Sequence, residues 1–275
     1  MVENRFKQFP SSLAAQSRAV RFGEVPVLLC HPDPNWREPA PTVIWLHGRT
    51  ANKELDPGRY LRWVRAGIAA CAVDLPGHGE RGDPEMQKPE ATLDVLRQAV
   101  GEVDRVIEHL ADPNWGGAFD LDRMAIGGMS LGGMVTLRRL CEAHEFKAAA
   151  VEGTTGNLMS LYGGHSPEVE TPVKGWHARH DAAKIAEVDA MQHLRGFRPI
   201  PLLALHSEAD QVVPVASMRS FVDALRGRYK QAYADPGLVQ LHTWPETGAP
   251  QEHIGFGRVS NDAKNLQVEF LKKYV

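Results

Sequence analysis

Cysteine is scarce: Cys30, Cys71 and Cys141 are the three in 275 residues. None stands at C-x-x-C or another metal-binding spacing, and an odd, scattered trio makes no disulfide framework. This argues against a disulfide-stapled secreted domain, and a reducing, cytoplasmic location is expected. Long apolar runs are also missing. No stretch of eighteen apolar residues could span a membrane. Residues 1–20 lack an apolar h-region, so no signal peptide is expected. Charge of one sign is not in excess: 31 Lys and Arg against 34 Asp and Glu give a formal net charge of -3. Nothing electrostatic therefore points to nucleic acid or an anionic membrane as partner. Repeats and low-complexity tracts are absent as well.

What remains is an ordinary globular composition, 43% hydrophobic and 24% charged, in a chain long enough for one large buried core. Strand-like and helix-like segments alternate, which predicts an α/β domain over 1–275 with a mostly parallel sheet and helices on both faces. Residues 18–30 predict a hairpin turned at Gly23-Glu24. Buried strands are expected at 41–48, 68–79, 147–152, 199–210 and 239–244. Helices are expected near 58–66, 131–143 and 215–227. The clearest helix spans 91–111, where Leu93, Leu96, Val100, Val103, Ile107 and Leu110 recur at spacings of three and four. A last helix should bury Val259, Ala263, Leu266 and Phe270. Residues 156–198 leave the alternation and are expected to form an insertion, a small helical lid.

The chemistry centres on Gly128-Met129-Ser130-Leu131-Gly132, a G-x-S-x-G pentapeptide between an expected strand and an expected helix. That turn forces its central residue into a strained conformation, and small neighbours let chain segments pass. Ser130 is thus the candidate nucleophile. A serine needs a base, and the base an orienting acid. Asp210 stands just beyond the 199–210 strand, with Glu208 as its rival two residues earlier. His253 lies in the loop before the last helix and is preferred as base to His242, which lies inside a strand. Acyl transfer also needs backbone N–H donors for an oxyanion. Those of Leu131 and Arg49, the latter just after Leu46-His47-Gly48, are the candidates.

With these elements in order, the chain resembles the α/β-hydrolase superfamily, and within it the bacterial dienelactone hydrolase and prolyl-oligopeptidase-like esterases. The likeness rests on Leu46-His47-Gly48, Asp74-Leu-Pro-Gly-His-Gly-Glu-Arg81, residues 122–133, Asp210-Gln-Val-Val-Pro214 and His253. It covers residue 41 to the C-terminus, with 156–198 poorly matched. The resemblance implies a sheet of roughly eight strands and carboxylester hydrolysis on a small-molecule substrate, with no metal and no organic cofactor. The serine departs from the cysteine of dienelactone hydrolases proper, and no β-propeller precedes the domain. Asp74 and His78 are expected to be structural parts of a rim turn.

Trp176, Tyr162 and Met159 either line an acyl pocket under the lid or form the lid's own small core. His177 and His180, three apart, would share a helix face and could meet Zn²⁺. No further ligand has the spacing, so a solvated lid surface is the expectation. A peptidase or amidase with the same triad, and a non-catalytic binding module on the same fold, are the alternatives to an esterase. The sequence leaves the oligomeric state open.

Overall fold

A computed structural model describes residues 8–163 and 177–275. Its centre is one eight-stranded sheet in the order β1-β2-β4-β3-β5-β6-β7-β8. A hairpin opens it, β1 (Ser17–Phe22) and β2 (Val25–Cys30), closing with Phe22 opposite Val25. β2 runs antiparallel to β4 (Ala69–Val73). The pairings of β3 (Ala40–Leu46), β5 (Phe119–Met129), β6 (Ala148–Glu152), β7 (Leu202–Ser207) and β8 (Val239–Trp244) are all parallel.

Central strands are buried on both sides, which is why they read as continuous apolar runs. Alternate residues then serve different layers. In β3, Ile44 and Leu46 join one core while Val43 and Trp45 join the other. The first core lies under α3 (Thr92–Leu110), α4 (Leu131–Arg139) and α7 (Val215–Gln231). The second lies under α1 (Ser11–Ala14), α2 (Pro57–Arg65) and α8 (Ser260–Tyr274). On α3 the inward stripe includes Leu93, Leu96, Val103 and Leu110, each buried. Each such side chain contributes roughly 1.5–3 kcal/mol.

The strands expected at 68–79 and 199–210 are shorter, Ala69–Val73 and Leu202–Ser207, and three helices also depart from expectation. α4 ends at Arg139 rather than 143, where its guanidinium donates to the Ala143 carbonyl at 2.9 Å and holds the chain's turn toward β6. α7 continues past Gly227 to Gln231 because Tyr229 is buried and donates to the Ile200 carbonyl at 2.6 Å. On α8 the buried face is Ala263, Gln267, Phe270 and Leu271, while Leu266 is 38% exposed. The expected Leu266 stripe is thus displaced by one residue, and a buried glutamine takes part in the packing.

Within 156–198 the described residues form α5 (Leu158–Tyr162), α6 (Ala182–Val188) and a 3₁₀ turn at Ala190–Gly196. Asp189 ties them together, accepting from the N–H groups of Leu158 and Met191. No helix among the described residues is long and apolar enough to cross a membrane.

Candidate active site

Strand order reverses beside β3: β4 flanks it on one side and β5 on the other. Such a switch opens a crevice at the C-terminal strand ends. β5 delivers Ser130 there, and β3 delivers the His47–Arg49 loop beside it, since Leu46 pairs with Gly128.

The turn from β5 into α4 is tight. Ser130 has φ 51° and ψ -118°, a conformation that costs a non-glycine residue on the order of 1–3 kcal/mol. Its N–H donates to the Glu152 carbonyl at 2.9 Å, and its carbonyl accepts from Thr154 Oγ1 at 2.7 Å. Close approach explains the glycines. A Cβ on Gly132 would lie 2.1 Å from the Leu46 carbonyl oxygen, and one on Gly128 would lie 2.5 Å from Gly132 backbone. Neither position accepts even alanine without moving the main chain.

The structure brings Ser130, His253 and Asp210 together, all buried. His253 Nε2 is 2.9 Å from Ser130 Oγ, and its Nδ1 is 2.8 Å from Asp210 Oδ2. Asp210 Oδ1 accepts from the N–H groups of Val212 and Val213, each at 2.8 Å. This fixes the carboxylate and leaves Oδ2 for the imidazole. Glu208 is turned away, bonded to Arg219 and Thr243 at the surface. His242 is exposed and packs against Trp244. Leu131 is the first residue of α4, so its N–H has no carbonyl four residues back within the helix and stands beside Ser130. The Arg49 guanidinium donates to the Gln87 carbonyl at 2.9 Å, and burial lowers its pKa.

Among the described residues, two spaces open onto Ser130. A cavity of about 490 Å³ is walled by Trp45, Tyr60, Met129, His253 and Phe256, with Arg59 and Glu152 at its base. A much smaller one, about 20 Å³, lies between Leu131, Met134, Tyr162, His177, Val212 and Val213. Tyr162 thus reaches the site, and burial pushes its phenol up to about 12. Met159 packs against the core beneath α3 and α4 instead. Trp176 lies outside the described residues.

His177 and His180 are not on a helix and do not form a solvated pair. Both are half-buried, with ring centroids 5.6 and 5.1 Å from that of Tyr162. His177 Nε2 lies 2.7 Å from the Val212 carbonyl, and burial lowers its pKa. No group of three possible metal ligands occurs among the described residues. Asp74 is spent on structure: it accepts from Lys53 N at 2.9 Å, Lys53 Nζ at 2.6 Å and Glu80 N at 2.9 Å.

Sequence reasoning did not find the buried cluster at the base of the large cavity. Arg59 meets both oxygens of Glu152 at 2.7 and 2.8 Å, Gln267 Oε1 at 2.6 Å and Asp56 at 3.1 Å. Its guanidinium also stacks over Trp45, 4.2 Å from the ring centroid. Four chain segments meet in it, and no local pattern announces such a union. A glutamic acid closing an otherwise apolar strand, Ala148–Glu152, was the available signal.

Known proteins give this geometry a context. The family model described as the prolyl oligopeptidase family matches residues 59–275. The esterase YjfP of Escherichia coli (strain K12) is 29% identical over 226 residues, covering 81% of this chain and 86% of that protein. Among solved structures, TT1662 from Thermus thermophilus superposes with a TM-score of 0.66 at 22% identity, covering 94% of this chain and 97% of that one. The acylaminoacyl peptidase of Pyrococcus horikoshii gives a TM-score of 0.69 at 18% identity, over 94% of this chain and 42% of that one.

Proposed function

The chain belongs to the prolyl oligopeptidase family, and on that premise we propose that it hydrolyses carboxylic esters of small to medium acyl chain through an acyl-enzyme on Ser130. The fold is that of the α/β-hydrolases. Ser130 Oγ attacks the ester carbonyl carbon while His253 Nε2 takes the hydroxyl proton. The tetrahedral intermediate collapses, the carbon–oxygen bond to the alcohol breaks, and His253 returns the proton to the departing oxygen. Water then adds to the acyl carbon, giving its proton to His253, and the acid leaves as Ser130 regains a hydrogen. Asp210 holds the imidazole with Nδ1 protonated and stabilises the imidazolium that forms between the two transfers. The N–H groups of Leu131 and Arg49 receive the developing oxyanion.

The observation that carries this reading is the continuous relay, 2.9 Å from serine to imidazole and 2.8 Å from imidazole to carboxylate, ending on a serine at φ 51°. Likeness to a protein named an esterase favours esters. The family's description favours peptides, a second reading that uses the same relay. A fluorophosphonate should label Ser130 and block turnover. An ester and an amide sharing one acyl group should then differ strongly in kcat/KM in favour of the ester. Equal or faster amide cleavage would assign a peptidase or amidase, and absence of a Ser130 adduct would overturn the mechanism.

A further inference from the structure

We infer that the protein divides its substrate unequally, seating a short acyl group on the Tyr162 side of Ser130 and a large, uncharged, apolar alcohol in the cavity on the Trp45 side. The inference rests on the esterase reading above and names which half of the ester goes where.

The two spaces beside Ser130 belong to opposite faces of the sheet. Leu131, Met134, Tyr162, Val212 and Val213 are part of the core under α3, α4 and α7, whereas Trp45, Tyr60 and Phe256 are part of the core under α2 and α8. Ser130 and Arg49 line both, but His253 lines the large one alone. That asymmetry orients the substrate. The imidazole that protonates the departing oxygen must face it, so the alcohol lies in the cavity His253 lines. The acyl group is left with the other side.

Size then separates the two halves. The acyl side offers about 20 Å³, room for about one water-sized or methyl-sized group. Its walls Leu131, Met134, Val212 and Val213 are buried and packed, so a longer chain must displace them. The alcohol side offers about 490 Å³. At its mouth stand two apolar residues in water, Leu55 at 63% and Ile254 at 47% exposure. The charges lining its base are paired with one another: Arg59 with Glu152, and Lys264 with Asp56 at 3.0 Å. These four groups sum to zero, which suits an apolar alcohol; the further charge on the lining, Arg49, is shared with the acyl side and donates to the Gln87 carbonyl.

Two ester series of near-constant leaving-group basicity test this. In ethyl esters, kcat/KM should fall at least tenfold from acetate to hexanoate. In acetates it should rise at least tenfold from ethyl to hexyl, since each buried methylene is worth about fourfold. His177→Ala should widen the acyl side and raise the hexanoate-to-acetate ratio several-fold. Leu55→Ser and Ile254→Ser alter exposed positions that do not hold the core, and should narrow the hexyl-to-ethyl ratio among acetates. An acyl series that is flat or rising, in a protein whose Ser130 still takes the fluorophosphonate, overturns the partition and leaves the triad standing. Loss of both ester turnover and the adduct overturns the esterase reading itself.

Discussion

Two buried polar clusters sit one residue pair apart at the end of β5 and β6, and they are built on opposite plans. In the first, Ser130, His253 and Asp210 form a single file joined at 2.9 and 2.8 Å, with the serine facing open space on either side. In the second, Arg59 is clasped by Glu152, Asp56 and Gln267 at once. The clusters even touch, because the Glu152 carbonyl accepts the Ser130 N–H while its carboxylate holds Arg59. Burial pushes the Arg59 pKa down, but the Glu152 and Asp56 carboxylates outweigh it and raise the pKa, so the guanidinium stays charged. Saturation makes the second cluster a fastening between α2, β6 and α8. The single file leaves the first one able to react.

The contrast breaks most visibly by substitution in the single file. Ser130→Ala should lower kcat by on the order of 10⁴ or more, and His253→Ala by about as much, because the residues act as a unit. Asp210→Asn should cost on the order of 10⁴ by favouring the wrong imidazole tautomer. Glu208→Gln should change little, since that side chain is bonded to Arg219 and Thr243 at the surface. All four should retain wild-type melting cooperativity. Steady-state rates in which the Asp210 and Glu208 effects were exchanged would move the orienting acid by two residues.

The fastening should answer differently, in stability. Arg59→Met leaves Glu152 buried with its charge uncompensated and should cost about 3–5 kcal/mol. Arg59→Met combined with Glu152→Leu should recover much of that, because neither charge then remains. Urea unfolding reads both. A double variant as unstable as the single one would mean that the charge pair itself, and not an orphaned carboxylate, sets the effect.

A third buried group sharpens the comparison through pH. His47 Nε2 accepts from Leu75 N at 3.0 Å, while its Nδ1 donates to the Gly48 carbonyl at 2.7 Å. Burial, above all, lowers its pKa to about 4, and a proton on Nε2 would collide with the Leu75 N–H. The unfolded chain has an ordinary imidazole with pKa about 6.5. Between these values the unfolded state binds more protons, so stability rises with pH. Its contribution is complete above about 6.5 and is lost as pH falls toward about 4. Unfolding midpoints across this window should decline with acid, and His47→Gln should flatten the decline even while lowering the plateau. A slope indifferent to His47→Gln would remove the histidine from the acid response.

These differences follow what was legible beforehand. The elbow around Ser130 could be recognised because its constraint is local: strand, five residues, helix. Asp210 could be placed because it follows the apolar run of β7, and His253 because it lies in the loop between β8 and the last helix. The sheet was legible for the same reason, with β3 and β8 closing near their expected ends. Arg59, Glu152 and Gln267 were hidden because their meaning depends on three segments meeting, and Gln267 is separated from Arg59 by 208 residues. His177 and His180 differ from the expected solvated surface because a spacing of three suggests a helix, whereas the chain there is irregular and folds both rings against Tyr162. Periodicity registers apolar side chains and is blind to a polar one held by a distant partner.

α8 offers the finest test of that blindness, and the smallest effect. Apolar spacing assigns Leu266 to the core and leaves Gln267 to solvent, yet Leu266 is 38% exposed and Gln267 fully buried. The cause is Arg59, which donates to Gln267 Oε1 at 2.6 Å while Gln267 Nε2 donates to Glu152 at 3.2 Å. Rotating the helix to bury Leu266 would withdraw that amide and leave two buried charges each short of a partner. Gln267→Leu should therefore destabilise by about 1–3 kcal/mol despite adding apolar surface to a buried site. Leu266→Gln should stay within about 0.5 kcal/mol, as surface changes do. Chemical denaturation of the two single variants decides the matter. If Leu266→Gln proved the costlier, the helix would be seated in solution on its leucine face, and the fastening at Arg59 would contribute less than its contacts imply.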